Sequence, residues 1–399
     1  LDPLGPFGAA SDLAVGVSGG ADSMALALLT ARWSAARGGS VLALVVDHGL
    51  RPASGDEAAL TLRRLAELGV PGRLLRLFGL RHGPALAERA REARYAALIS
   101  ACRAAGIAHL LLGHHAGDQA ETVLMRRLGG SGGAGLAGMA AVSELECVRL
   151  LRPLLGVPAG RLRATLREGG TGWIEDPSNR DPATLRARLR AERSDPEGDG
   201  AGTLELIKRA VAAGGTRSER ERAIAADLAE HAAMHPEGFA LLSSGPIPAP
   251  ALAALLQAIA GSRYPPSLRQ VATLAAAPAP ATLGGVRLLP AGRMGPGLLM
   301  VREEAAQAPP VPARPGTRWD GRFRLGAHAA THAQALLGAL GSAAAGLRRH
   351  SPLPSAVLRS LPALRLADRL LAVPHLGYPD AATCRDLPLT FCPRRPAAG

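Results

Sequence analysis

The segment Ser18-Gly19-Gly20-Ala21-Asp22-Ser23 lies between a short apolar run, Leu13-Ala-Val-Gly-Val17, and a stretch of helical periodicity. That order of strand, glycine turn and helix constrains the fold more than any other feature of the chain. Adjacent glycines let the backbone turn tightly and approach a ligand, and the following helix directs unpaired N–H groups and the positive end of its dipole at the turn. Ser18 and Ser23 add hydroxyl donors. The expected ligand is a phosphate. The segment is neither a GxxxxGK(S/T) loop nor a GxGxxG dinucleotide turn. A plainer role for Asp22 and Ser23 would be to cap the helix.

The same alternation continues. Val41–Val46, Arg73–Leu77 and His109–Leu112 read as further strands, and Asp22–Arg37, Gly55–Leu68 and Pro84–Ala105 as helices between them. Continuous apolar strands separated by helices predict an α/β fold with a parallel sheet covered on both faces. Ligands of such sheets bind beyond the carboxyl ends of the strands, so the segments that follow the strands are where chemistry is sought.

At 399 residues the chain exceeds the roughly 100–200 of one ordinary domain, so more than one unit is expected. A glycine-rich loop spans Gly129–Gly138, a Trp173–Arg190 block follows, and Ser194–Gly202 (SDPEGDGAG) reads as a linker. The expected division is 1–195 for the α/β unit, 200–308 for a mainly helical unit and 309–399 for a small C-terminal unit. Leu204–His235 carries helical periodicity, and Arg318–Leu325 reads as a short strand.

The net charge of +13 suits a polyanionic partner such as nucleic acid. The only lysine is Lys208, an arginine-for-lysine bias that contributes part of this balance. Cys102, Cys147, Cys384 and Cys392 form no C-x-x-C pair, so neither a disulfide framework nor a zinc site is signalled, and a reducing, cytoplasmic setting is expected. No apolar run reaches the roughly 18 residues of a membrane span. The sequence begins without Met, as expected of a trimmed or processed chain.

With its Ser-Gly-Gly-x-Asp-Ser loop the chain resembles the PP-loop ATP pyrophosphatases. Within that superfamily it is similar to the tRNA(Ile)-lysidine synthetases. The residues that carry the second resemblance are Asp47-His48-Gly49-Leu50-Arg51, then Glu88, Arg91, Arg94 and Tyr95, and then His114-His115-Ala116-Gly117-Asp118-Gln119-Ala120-Glu121-Thr122. They continue through Gly130-Ser131-Gly132, Gly135–Met139, Arg152-Pro153-Leu154-Leu155 and Trp173-Ile174-Glu175-Asp176-Pro177-Ser178-Asn179. The series spans about residues 13–190 in family order.

The resemblance implies a tRNA-modifying ligase. ATP adenylates the oxygen on carbon 2 of the wobble cytidine of an isoleucine tRNA with a CAU anticodon, and free lysine displaces AMP. It implies ATP bound by Ser18, Gly19, Gly20, Ala21, Asp22, Ser23, Asp47 and His48, with Mg²⁺ on Asp22 and Asp118. Asp22, Asp118, Arg91, Arg94, His115 and Glu121 are the implied catalytic set. Arginines neutralise departing pyrophosphate, and an acidic pocket recruits the ammonium and takes its proton. The partners implied are the isoleucine tRNA and free lysine, with no membrane; a homodimer is left open.

Other readings stand beside these. Arg91 and Arg94, at i and i+3, could pair with Glu88 and Glu92 on a solvated face. Trp173 could be core or a base-stacking platform, and Arg161, Arg163, Arg167, Arg186, Arg188 and Arg190 form basic faces open to solvent or RNA. Where the family pattern HHxDDQ has an acid pair, this chain has Gly117 before Asp118, and Ala187 stands where the family often has Asn. The alternatives at the level of function are a PP-loop tRNA thiolase and a noncatalytic RNA-binding relative. Cys102 and Cys147 lack the pairing that a cluster-binding thiolase needs, and an intact Ser18–Ser23 loop argues against loss of catalysis.

Overall fold

Leucine and valine crowd the first strands because both faces of their sheet are covered. In the computed structural model, which describes residues 1–80, 83, 85–131, 133–145, 148–175, 185–326, 329–394 and 397, β1 (Leu13–Val17) pairs in parallel with β2 (Val41–Asp47) on one side and β4 (His109–Leu112) on the other. β2 pairs with β3 (Gly72–Arg76), β4 with β6 (Val148–Leu151), and β5 (Val142–Leu145) adds the antiparallel edge, giving the order β3-β2-β1-β4-β6-β5. The chain first steps outward from β1 to β3 and then returns to lay β4 on the opposite side of β1. The helices that follow β1 and β4 therefore begin side by side, at the carboxyl ends of two adjacent strands on either side of the point where the strand order reverses, which is where ligands of such sheets bind.

α1 (Ala21–Ala35) and α2 (Ser54–Glu67) follow β1 and β2, α3 (Leu86–Ala104) follows β3, and α4 (Ala116–Leu128) follows β4. One face of the sheet is packed by Leu13, Val15, Met24, Leu26, Leu65 and Leu166, and the other by Ala14, Leu44, Leu98, Cys102 and Leu110. The short α5 (Gly133–Leu136), α6 (Ala159–Glu168) and α7 (Leu185–Arg193) complete the elements of this region.

By internal contacts the chain divides into compact units at Leu1–Ser218 and Glu219–Gly399, with α8 (Ala201–His231) running through the boundary. Ser194–Gly202, expected as a linker, is an ordered turn. Asp195 accepts from Gly198 N at 3.0 Å, from Gly200 N at 3.2 Å and from Thr203 Oγ1, and the last three-residue stretch of the expected linker borders or enters α8. An aspartate that satisfies successive backbone N–H groups organises a polar glycine-rich segment that its composition alone makes look loose.

The 200–308 region, expected to be mainly helical, holds α8, α9 (Ala249–Ala260) and α10 (Leu268–Ala276), and also an antiparallel sheet. Its strands are β7 (Ala232–Met234), β8 (Ala240–Leu242), β9 (Ala281–Leu283), β10 (Val286–Pro290) and β11 (Leu298–Arg302), in the order β7-β8-β11-β10-β9. These runs are too short for their periodicity to show in a sequence.

Beyond it, Arg318–Leu325 forms a hairpin rather than one strand. β13 (Arg318–Trp319) turns into β14 (Phe323–Leu325), following β12 (Val311–Pro312), through Asp320 and Gly321, whose φ angles of 51° and 66° are those of a mirror-image hairpin turn. Of the three arginines in this segment, Arg322 is not a surface cation. Arg322 is fully buried; its Nε donates to Asp320 Oδ2 at 2.8 Å, and Arg302 donates to the same carboxylate at 3.1 Å. Among the described residues no helix is long and apolar enough to cross a membrane.

Candidate active site

The loop after β1 is held by its own hydroxyls. Ser18 N donates to Ser23 Oγ at 3.1 Å, and Ser23 Oγ donates to Gly20 O at 3.0 Å. Gly20 is the N-cap of α1 and no side chain caps the helix, so the plainer capping role for Asp22 is not taken up and the first N–H groups of α1 are left for a ligand. Gly19 has φ of 87°, and a Cβ there would collide with Thr61 Oγ1. Ile174 N donates to Gly19 O at 2.8 Å, which ties the Trp173-Ile174 segment to the back of the loop.

Asp47 and His48 sit at the end of the neighbouring strand, β2. Asp47 Oδ1 accepts from Gly49 N at 2.9 Å, and that bond, followed by one from Ser54, holds its carboxyl below the usual carboxylate range. His48 is shifted to favour the neutral ring, first by burial and then by the positive charge of Arg94. Among the described residues its Nδ1 is buried without a partner, as is Nε of Arg94. Burial lowers the Arg94 guanidinium from its ordinary value. Neither Arg91 nor Arg94 forms an ion pair with Glu88 or Glu92 among the described residues; both instead lie over the ring of Tyr95, at 5.1 and 5.8 Å.

On the other side of β1, the β4 turn comes close to α1. A Cβ on Gly113 would stand 3.1 Å from Asp22 O and Ser23 Cα, so a glycine is what permits this approach. His115 is the N-cap of α4: its Nδ1 accepts from Gly117 N at 3.0 Å, while its own N–H donates to Asp118 Oδ2 at 3.1 Å. The other ring nitrogen, Nε2, lies 3.7 Å from Asp22 Oδ2 and 3.6 Å from Asp118 Oδ2. Three residues of the expected set, on two different helices, thus meet around one imidazole.

Burial raises the Asp22 carboxyl, and Asp118 adds to this, while His115, Arg163 and Arg190 oppose it. Its Oδ1 is buried and has no partner among the described residues. Mg²⁺ takes one or two carboxylates together with phosphate oxygens and water, and Asp22 and Asp118 fit that requirement. No cluster of three or more His, Cys, Asp or Glu suited to a metal occurs among the described residues.

Glu121 is buried, with Oε1 accepting from Arg190 Nε at 2.9 Å and Oε2 without a partner among the described residues. Arg190 also reaches within 3.9 Å of Asp118, and Arg193 donates to Gly117 O at 3.4 Å. Burial shifts His114 down to about 4.

Sequence reasoning missed the framing role of Gln119 and Arg126. Gln119 exchanges hydrogen bonds with the backbone of Met139 at 2.8 and 3.0 Å, and Arg126 donates to Gly135 O and Gly138 O. They pin the Gly135–Met139 turn to α4. The place of Gln119 within the quoted series was the available signal, whereas Arg126 lies outside that series. Arg152 donates to Ala140 O and Ser143 Oγ and is part of the scaffold. Trp173 packs against the core with Arg167 over its ring at 5.9 Å. Gly132, Cys147 and Asp176-Pro177-Ser178-Asn179 lie outside the described residues.

A model of the PP-loop domain matches residues 4–194. The tRNA(Ile)-lysidine synthase of Ruegeria pomeroyi is 35% identical over 93% of this chain and 90% of its own length. The chain belongs to the tRNA(Ile)-lysidine synthase family. That of Mesorhizobium japonicum is 34% identical over 91% of this chain and 83% of its own. The Bradyrhizobium sp. lysidine synthase is 47% identical, but only over 188 residues, and the chain spans about half the length of that relative. Among solved structures, the U34-tRNA thiolase NcsA from Methanococcus maripaludis aligns with 51% of this chain and 72% of its own, at 17% identity and a TM-score of 0.42.

Proposed function

We propose that the protein is an ATP-dependent ligase that joins lysine to carbon 2 of the wobble cytidine of a CAU-anticodon isoleucine tRNA, forming lysidine and releasing AMP and pyrophosphate. The observation that carries this reading is the meeting of Asp22, His115 and Asp118 where the uncapped N-terminus of α1 lies beside the His115-capped N-terminus of α4. An anion cradle and an acidic pocket then share one crevice.

In this reading the Ser18–Ser23 loop holds the ATP phosphates through backbone N–H groups and hydroxyls. Asp47 and His48 border the nucleotide from β2. Mg²⁺, held by Asp22 and Asp118, would neutralise charge on the phosphates. Arg91 and Arg94 offset the charge that develops on departing pyrophosphate. Glu121 and Asp118, with one carboxylate oxygen of Glu121 unpartnered, receive the lysine ammonium and accept its proton before the amine attacks carbon 2 and AMP leaves.

We assign catalysis to residues 1–195, tRNA contact to 200–308 and a further, divergent tRNA-contacting unit to 309–399. The net charge of +13 favours the polyanionic substrate. With tRNA, ATP and lysine as substrates, the enzyme works in the cytoplasm.

The two chemical steps can be separated. With ATP labelled at the α-phosphate, Mg²⁺ and the isoleucine tRNA but no lysine, the label should enter RNA, and adding lysine should chase it into free AMP. RNA that never acquires the label would remove adenylation from the account.

A further inference from the structure

We infer that Gly117 is a positioning residue for the reaction proposed above: by lacking a side chain it lets the His115 ring fold back over the first turn of α4 and stand between Asp22 and Asp118. The family pattern has an acid at this place, so the glycine looks like a lost group. The geometry gives it a use of its own.

The ring lies directly over Gly117. A Cβ built there would stand 2.8 Å from His115 Cε1 and 3.2 Å from Nδ1, closer than carbon atoms tolerate. The glycine N–H donates to Nδ1 at 3.0 Å, so the ring is held by the residue that makes room for it. A nitrogen that accepts carries no proton, which leaves Nε2 to bear the ring N–H. Nε2 is the atom that faces the carboxylates, at 3.7 Å from Asp22 and 3.6 Å from Asp118. Both separations exceed hydrogen-bonding range; the ring orients the pair electrostatically without taking up their lone pairs. The peptide carrying Gly117 is fixed from its other side by Arg193, which donates to Gly117 O at 3.4 Å.

A side chain at 117 would therefore displace the ring more than it would disturb the backbone, since an imidazole swings away more readily than a helix moves. One consequence runs against intuition. Restoring the acid with Gly117→Asp adds the same Cβ and should lower turnover, not raise it.

Three measurements on the full chain test this. Gly117→Ala and Gly117→Asp should each lower the rate of pyrophosphate release by about tenfold to a hundredfold, the size expected of a misplaced group, while KM for ATP stays within about twofold and melting temperature changes little. In a His115→Ala background, Gly117→Ala should add nothing, because its effect acts through the ring. Nitrogen NMR of ¹⁵N-histidine protein should find His115 with its proton on Nε2, and Gly117→Ala should disperse that state. Equal losses from Gly117→Ala with and without His115, full activity in Gly117→Asp, or a wild-type proton on Nδ1 would each overturn the inference. The tautomer is read without turnover. An inert wild-type chain with the proton on Nε2 would thus defeat the functional reading separately from the placement of the ring.

Discussion

Nε of Arg190 lies 2.9 Å from Oε1 of Glu121, so that α7, which from sequence alone could have been a solvated basic face, closes on the acidic side of α4. The ion pair fixes one carboxylate oxygen and leaves the other, buried and unpartnered, for a cation. Glu121→Gln should raise KM for lysine by about tenfold or more, the cost of roughly one charged hydrogen bond, with adenylation of tRNA unchanged. Steady-state kinetics in lysine, compared with label entering RNA from ATP, would measure this; an unaltered lysine KM would take Glu121 out of the pocket. Arg190→Met should also destabilise the protein by about 1–3 kcal/mol, because the buried carboxylate loses its partner.

Asp22→Ala should abolish pyrophosphate release and leave tRNA binding largely intact. The carboxylate is at the head of α1 beside the phosphate loop. Filter binding of labelled tRNA alongside a pyrophosphate assay separates the effects, and normal turnover would exclude the loop from the mechanism.

Arg91→Ala and Arg94→Ala should lower turnover more than thermal stability, since the absence of ion pairs with Glu88 and Glu92 leaves little surface electrostatics to lose. Arg94 should have the larger effect, because it adjoins His48. Collapse of the melting temperature with normal activity per folded molecule would assign both arginines to the scaffold.

Stability should fall as pH drops from about 6.5 towards 4. Burial depresses His114 to about 4, so within that window the unfolded chain binds a proton that the folded chain refuses, and stability rises with pH. Below about 4 the group contributes no further loss. His48, shifted in the same direction by burial, steepens the same limb. Urea titrations at intervals across this range should show a slope that His114→Gln reduces; an identical slope in the variant would mean that other groups set it.

Asp320→Asn should destabilise the second unit by about 3–5 kcal/mol, the usual result of removing one partner from a buried ion pair. It leaves fully buried Arg322 without its compensating charge. Denaturation followed by tryptophan fluorescence would report on Trp319 in the same hairpin, and a loss under about 1 kcal/mol would mean that the cation is satisfied by Gly238 O and Ser360 O, to which it also donates at 3.4 Å.

The sheet and its loops were legible because strands covered on both faces are apolar throughout and the helices between them are long enough to show their period. β1 and β4 appear at Leu13–Val17 and His109–Leu112 as read. What spacing does not convey is direction. Nothing in His-His-Ala-Gly-Asp shows that the His115 ring turns back over Gly117, or that Arg190, distant in sequence, reaches Glu121. Asp195 shows a second limit: SDPEGDGAG has the composition of a flexible linker and also of a turn built on one carboxylate, and only tertiary contacts separate the two. In the hairpin after β12 a local signal was present, since Asp320-Gly321 is a favoured turn pair, but the segment was read through as one short strand.

The central claim is tested most directly by incubating the full chain with ATP, Mg²⁺ and radiolabelled lysine, together with either the CAU-anticodon isoleucine tRNA or the methionine tRNA of the same anticodon. The account predicts acid-stable label in the isoleucine tRNA and none in the methionine tRNA. Pyrophosphate release with no lysine in either RNA would contradict it, leaving a PP-loop enzyme that serves a different nucleophile.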